Sequence, residues 1–122
     1  MYTVEVDRRH RIVMLIIGAN LDADEGWELQ TSKNNAVRSL GPPASDHSTL
    51  MDIRQLRIQP QELIQAFVDY SQNTKLPSKK VAILFGEGTS RMQFRRIIQS
   101  ENVIAKMELF TDRDEALAWL KA

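Results

Sequence analysis

The chain repeats one unit: a short apolar strand, a polar break, then an amphipathic helix. In one copy the strand is Lys79-Lys80-Val81-Ala82-Ile83-Leu84-Phe85, the break is Gly86-Glu87-Gly88-Thr89-Ser90, and the helix starts at Arg91. An earlier copy runs from Ser48-Thr49-Leu50-Met51-Asp52-Ile53 to Pro60-Gln61-Glu62-Leu63. A later one runs from Lys106-Met107-Glu108-Leu109-Phe110 to Asp112-Arg113-Asp114-Glu115-Ala116. Strands alternating with helices predict a layered α/β sheet with crossover helices.

Two more strands precede these units. Tyr2 to Val6 alternates apolar and polar residues, the mark of a half-buried strand. Arg11 to Gly18 is a nearly continuous β-branched run across a break of Asp7-Arg8-Arg9-His10, which predicts an antiparallel hairpin even without an Asn-Gly turn. Because Ile12 to Ile17 is apolar on both faces, it belongs inside the sheet. Asn20 to Leu40 carries a helix start at Asp22-Ala23-Asp24-Glu25, but Trp27, Leu29, Ala36, Val37 and Leu40 fit no single helical face. Gly41-Pro42-Pro43-Ala44-Ser45-Asp46 reads as a loop.

The helix from Pro60 places Leu63, Ile64, Ala66, Phe67 and Tyr70 on one face, and the helix from Arg91 turns Phe94, Ile97 and Ile98 inward. The last helix buries Ala116, Leu117 and Leu120, with Trp119 at its margin. The predicted fold is a mixed β-sheet with flanking helices in the order ββαβαβαβα. Ile16, Leu50, Ile83, Phe67, Ile97, Leu117 and Leu120 are expected in one core.

At 122 residues the chain has the size of one domain, residues 1–122. Sixteen basic residues balance sixteen acidic ones, which argues against nucleic acid as a partner, since that affinity leans on neutralising phosphates. With no cysteine, thiol catalysis and cysteine-ligated metals are excluded. The longest apolar run, Ile12 to Ile17, is too short to span a bilayer, so a cytoplasmic protein without integral membrane association is expected.

The closing segment Glu108-Leu109-Phe110-Thr111-Asp112-Arg113-Asp114-Glu115-Ala116-Leu117-Ala118-Trp119-Leu120, with Val81-Ala82-Ile83-Leu84 before it, resembles the SpoIIAA-like (STAS-like) bacterial proteins. That resemblance implies a STAS-like mixed sheet flanked by helices and a binding or regulatory role. Such folds are also similar to lipid-transfer modules of the CRAL-TRIO kind. Anti-sigma antagonists with this fold carry a phosphorylatable serine in an Asp-Ser-Ser/Thr-Gly motif. Here Leu50-Met51-Asp52 is followed by Ile53-Arg54-Gln55-Leu56-Arg57, which argues against a kinase-controlled switch at that place.

The break Gly86-Glu87-Gly88-Thr89-Ser90-Arg91 has two readings. A helix N-terminus offers free N–H groups to an anion, whereas Ser90 with Gln93 also reads as a capping box. Neither a dinucleotide fingerprint nor a P-loop is present. The acids Asp22, Asp24, Glu25 and Glu28 lack the order of a calcium loop and suit the first turn of a helix. His10 falls in the hairpin turn and His47 at a strand start, and both read as solvated. In Asp46-His47-Ser48, neighbouring side chains point to opposite faces and cannot form a relay.

Ligands of α/β sheets gather outside the carboxyl ends of the strands. The expected binding residues there are Arg54, Gly86, Gly88, Ser90 and Arg91, with no catalytic, metal or cofactor assignment. A module that binds a protein or a small anionic or apolar ligand is the reading these features favour, with homodimerisation open. A lipid carrier, or a small enzyme at the carboxyl ends of the strands, stands as the alternative.

Overall fold

The computed structural model describes residues 1–20, 22–57, 76, 78–86 and 106–122. Five strands form one sheet in the order β1-β2-β3-β4-β5: Tyr2–Asp7, Ile12–Ile17, Ser48–Asp52, Lys80–Leu84 and Lys106–Phe110. β1 runs antiparallel to β2, and every later pair is parallel. Helix α1 (Ala23–Ser39) connects β2 to β3, and helix α2 (Arg113–Lys121) follows β5. The helices expected from Pro60 and Arg91 lie outside the described residues.

The hairpin closes without Asn-Gly because other residues supply the turn chemistry. Asp7 accepts from the His10 backbone N–H at 3.2 Å and pairs with His10 Nδ1 at 3.0 Å. Arg11 takes the left-handed conformation (φ 54°) that a turn glycine would otherwise adopt. Its side chain then reaches across to the end of α1. Nη1 donates to Leu40 O at 2.7 Å, Nη2 to Gly41 O at 2.8 Å and Pro43 O at 3.0 Å, and Nε to Asp46 O. One guanidinium thereby ties together the C-cap carbonyl of α1 and three carbonyls of the loop that follows, and its charge suits the negative end of the helix dipole.

α1 begins as its acids predict, with the Asp22 carboxylate accepting from Glu25 N–H at 2.8 Å. Its buried stripe is Leu29, Lys33 and Val37, spaced four residues apart. A lysine at the middle position breaks the apolar pattern, which is why the sequence shows no clean face there. Trp27 lies outside that stripe and is 72% exposed. α2 is capped by Asp112, which accepts from Glu115 N–H at 3.2 Å. At its other end Lys80 Nζ donates to Trp119 O at 3.1 Å and sits 5.2 Å from the Trp119 ring centre.

The single core expected from the sequence is instead two. Strand side chains alternate between faces, and Met51 pairs with Ile83 while Leu50 pairs with Ala82. Leu50 and Ile83 therefore point to opposite sides of the sheet. On the α1 face, Val13, Leu15, Met51, Val81, Ile83 and Leu109 pack beneath Leu29 and Val37. On the α2 face, Ile12, Leu50, Ala82 and Leu84 pack against Ala116 and Leu120. Leu117 joins that second cluster half-buried, Ile16 is half-buried, and Phe67 and Ile97 lie outside the described residues. β3 is buried along its whole length because both its faces are covered, as parallel strands require. Among the described residues, no helix is long and apolar enough to cross a membrane.

Candidate functional site at the carboxyl ends of the strands

At the carboxyl end of β3 the chain turns through Asp52-Ile53-Arg54. Asp52 is buried on the α2 face, in register with Ile16 and Leu84. Its carboxylate receives three N–H groups from Arg54: the backbone N–H at 3.2 Å, Nε at 3.0 Å and Nη2 at 2.8 Å. Burial pushes Asp52 up, but these bonds and the charges of Arg54 and Arg113 outweigh it and hold the carboxyl below its ordinary range. The same bond raises Arg54.

A guanidinium has five N–H donors in a fixed fork, and Asp52 engages only one edge of it. The Arg54 side chain keeps 45% of its surface in solvent, against 12% for Asp52. A second arginine, Arg113, also acts on the Asp52 carboxylate through its charge. Arg113 leans in from α2 and reaches Met14 Sδ at 3.6 Å.

Gly86 packs directly beside this turn. A Cβ built on Gly86 would stand 3.4 Å from the Arg54 carbonyl oxygen, at ordinary van der Waals contact, so the two residues are immediate neighbours. Backbone bonds pin the same corner, with Ile53 N–H to Leu84 O at 2.9 Å and Phe85 N–H to Phe110 O at 3.0 Å. Arg54 and Gly86, proposed together from the sequence, are therefore neighbours. Gly88, Ser90 and Arg91 lie outside the described residues.

A second polar cluster sits at the opposite, amino end of the parallel strands. His47 was expected in solvent, yet it is fully buried. Its Nδ1 pairs with Ala44 O and its Nε2 with Ser78 Oγ at 2.9 Å, and Ser78 Oγ pairs with Thr49 Oγ1 at 2.6 Å. Neutral His47 fits this chain with Nδ1–H donating to Ala44 and Nε2 accepting from Ser78. Burial, opposed by the Ala44 bond and reinforced by the charges of Lys33 and Arg11, holds the imidazole below its ordinary range. Lys33, also fully buried, is pushed down by desolvation to about 8.

The sequence missed this cluster because the bonding partner of His47 is not its neighbour. Asp46 turns outward to Lys79 Nζ at 3.0 Å, and the imidazole reaches a serine 31 residues away. The available signal was weak: a serine just before β4 beside a histidine just before β3, on strands predicted to be adjacent.

A solved structure with a similar fold is an uncharacterised protein of the DUF3478 family, with a SpoIIAA-like fold, from Shewanella loihica PV-4. The match has a TM-score of 0.64 and 14% sequence identity, and covers 98% of this chain and 92% of that one. No protein-family model matches the sequence, and no curated protein matches it. The chain therefore has a SpoIIAA-like α/β fold, and at this identity the likeness carries the fold alone.

Proposed function

We propose that the chain is a one-domain binding module, not a catalyst, and that it takes a small anionic ligand at the carboxyl ends of its parallel strands. The observation that carries this reading is Arg54: a half-exposed guanidinium fixed by a buried carboxylate, with Gly86 packed beside it. Such a fork recognises planar or tetrahedral oxyanions through paired charge-assisted bonds. Gly88, Ser90 and Arg91 belong to the proposed site by sequence. A regulatory role would follow from ligand occupancy altering this corner, not from phosphorylation.

The test is a titration with inorganic phosphate and sulfate, followed by amide shifts. Millimolar anion should move Ile53 to Arg57 and Gly86, and Arg54→Gln should weaken binding by about 1.5–3 kcal/mol. Silence at these amides throughout the titration would sink the reading.

A further inference from the structure

The side chain and backbone of His47 tie together three separate segments. Its ring holds Ala44 in the loop before β3 and Ser78 in the segment before β4, and Ser78 holds Thr49 within β3. Its carbonyl accepts from Lys79 N–H at 2.9 Å. No water reaches the ring, whose residue is 0% exposed. We propose that His47 is an acid-sensitive latch, which holds the Ala44–Asp46 turn against the amino ends of β3 and β4 while neutral and loosens it when protonated, with Arg11 keeping its own grip on the loop carbonyls.

Two physical effects oppose the second proton. It would place a cation in a pocket that already faces Lys33 from α1 and Arg11 from the start of β2. Asp46 in the loop is the opposing charge, but it is shared with Lys79 at 3.0 Å and with Arg11 at 3.8 Å. An Nε2–H would also force Ser78 to accept instead of donate, reversing the hydroxyl chain that runs from Thr49. Loosening the turn returns the imidazolium to water, so protonation and loosening are linked.

The linkage has one direction. A base whose folded affinity for protons is lowered contributes stability that is complete above its ordinary value of 6.5 and is lost as the pH falls below it. The latch is therefore closed near neutrality and weakens in mild acid. Other groups that feel the same pocket do not titrate there: Lys33 stays charged below neutrality, and Asp46 is held below its ordinary range by its bond to Lys79.

The experiment is hydrogen exchange and imidazole NMR on the intact chain between about pH 7.5 and pH 5. Amides of Ala44 to Thr49, Ser78 and Lys79 should lose protection by about tenfold or more along the His47 titration, while α2 amides keep theirs. Lys33→Met, which removes a facing cation, should move the His47 midpoint to higher pH. His47→Gln, which keeps a hydrogen-bonding amide without the proton, should abolish the local transition. The wild-type measurement decides by itself, whether or not His47→Gln folds. If His47 titrates without any change in the protection of the turn, or the turn loosens without His47 titrating, the latch does not exist.

Discussion

The two ends of the sheet each carry buried polar groups, but they use them differently. At the amino end, His47, Ser78 and Thr49 spend their hydrogen bonds on one another and on the backbone, and all three are at least nine-tenths buried. At the carboxyl end, Asp52 is buried while its partner Arg54 keeps almost half of its side chain in solvent. A closed network contributes to uniqueness and stability, and its removal leaves orphaned partners. An ion pair with one exposed member fixes its buried carboxylate and still leaves donors for a ligand. Polar burial alone thus does not mark a site; a buried group that fixes an exposed one does.

The broadest test strikes the frame that both ends share. Ile83→Ala, at a fully buried position in β4, should destabilise by about 2–5 kcal/mol and loosen both ends together. Chemical denaturation measures the loss, and a change under about half a kilocalorie would mean that β4 does not carry the core.

Lys33 gives the next largest effect, and it belongs to the amino end alone. Its folded value of about 8 lies below the ordinary 10.5, so the unfolded chain holds that proton more tightly. Below about pH 8 the folded state bears the whole penalty, about 3 kcal/mol, and stability should rise as the pH climbs toward 10.5. Denaturation midpoints across this range should show the rise in the natural chain and a flat line in Lys33→Met. An equal rise in both would place the linked group elsewhere.

Ser78→Ala removes the central hydroxyl of the closed network and leaves His47 Nε2 and Thr49 Oγ1 without it. The expected cost is about 1–3 kcal/mol, read by thermal or chemical unfolding. Arg54→Gln should cost least, about 1 kcal/mol, because Asp52 keeps the backbone N–H of residue 54 and water can replace the half-exposed guanidinium. If it instead destabilised as much as Ser78→Ala, the two ends would be alike, and the carboxyl end would be structure and not a receptor.

The sequence disclosed this architecture unevenly. Strand positions were legible because apolar runs of five or six residues bounded by polar breaks have few other ways to bury themselves, and β5 starts and stops where expected at Lys106 and Phe110. The start of α1 was legible from Asp22, whereas its buried face was hidden by Lys33 within the stripe. The division into two cores follows from strand register, which fixes that Leu50 and Ile83 are offset by one. At the carboxyl end, Arg54 and Gly86 could be placed together because parallel neighbours such as β3 and β4 bring their carboxyl ends to the same edge of the sheet. The His47 network could not, since residues 47 and 78 meet only through the pairing of β3 with β4.

Arg11 has a bearing on how this chain can change over generations. Its guanidinium grips the segment from Leu40 to Asp46 by carbonyl oxygens, and every amino acid carries one. The clamp is indifferent to which side chains the segment displays, except where His47 and Asp46 add contacts of their own. Substitutions at Pro42 and Ser45, both exposed, should therefore accumulate freely, while Arg11 itself has no substitute. Lysine has three donors on a single point and cannot span four separate carbonyls with a planar fork. The tolerance of the loop is bought by the intolerance of one residue lying far from it in the chain.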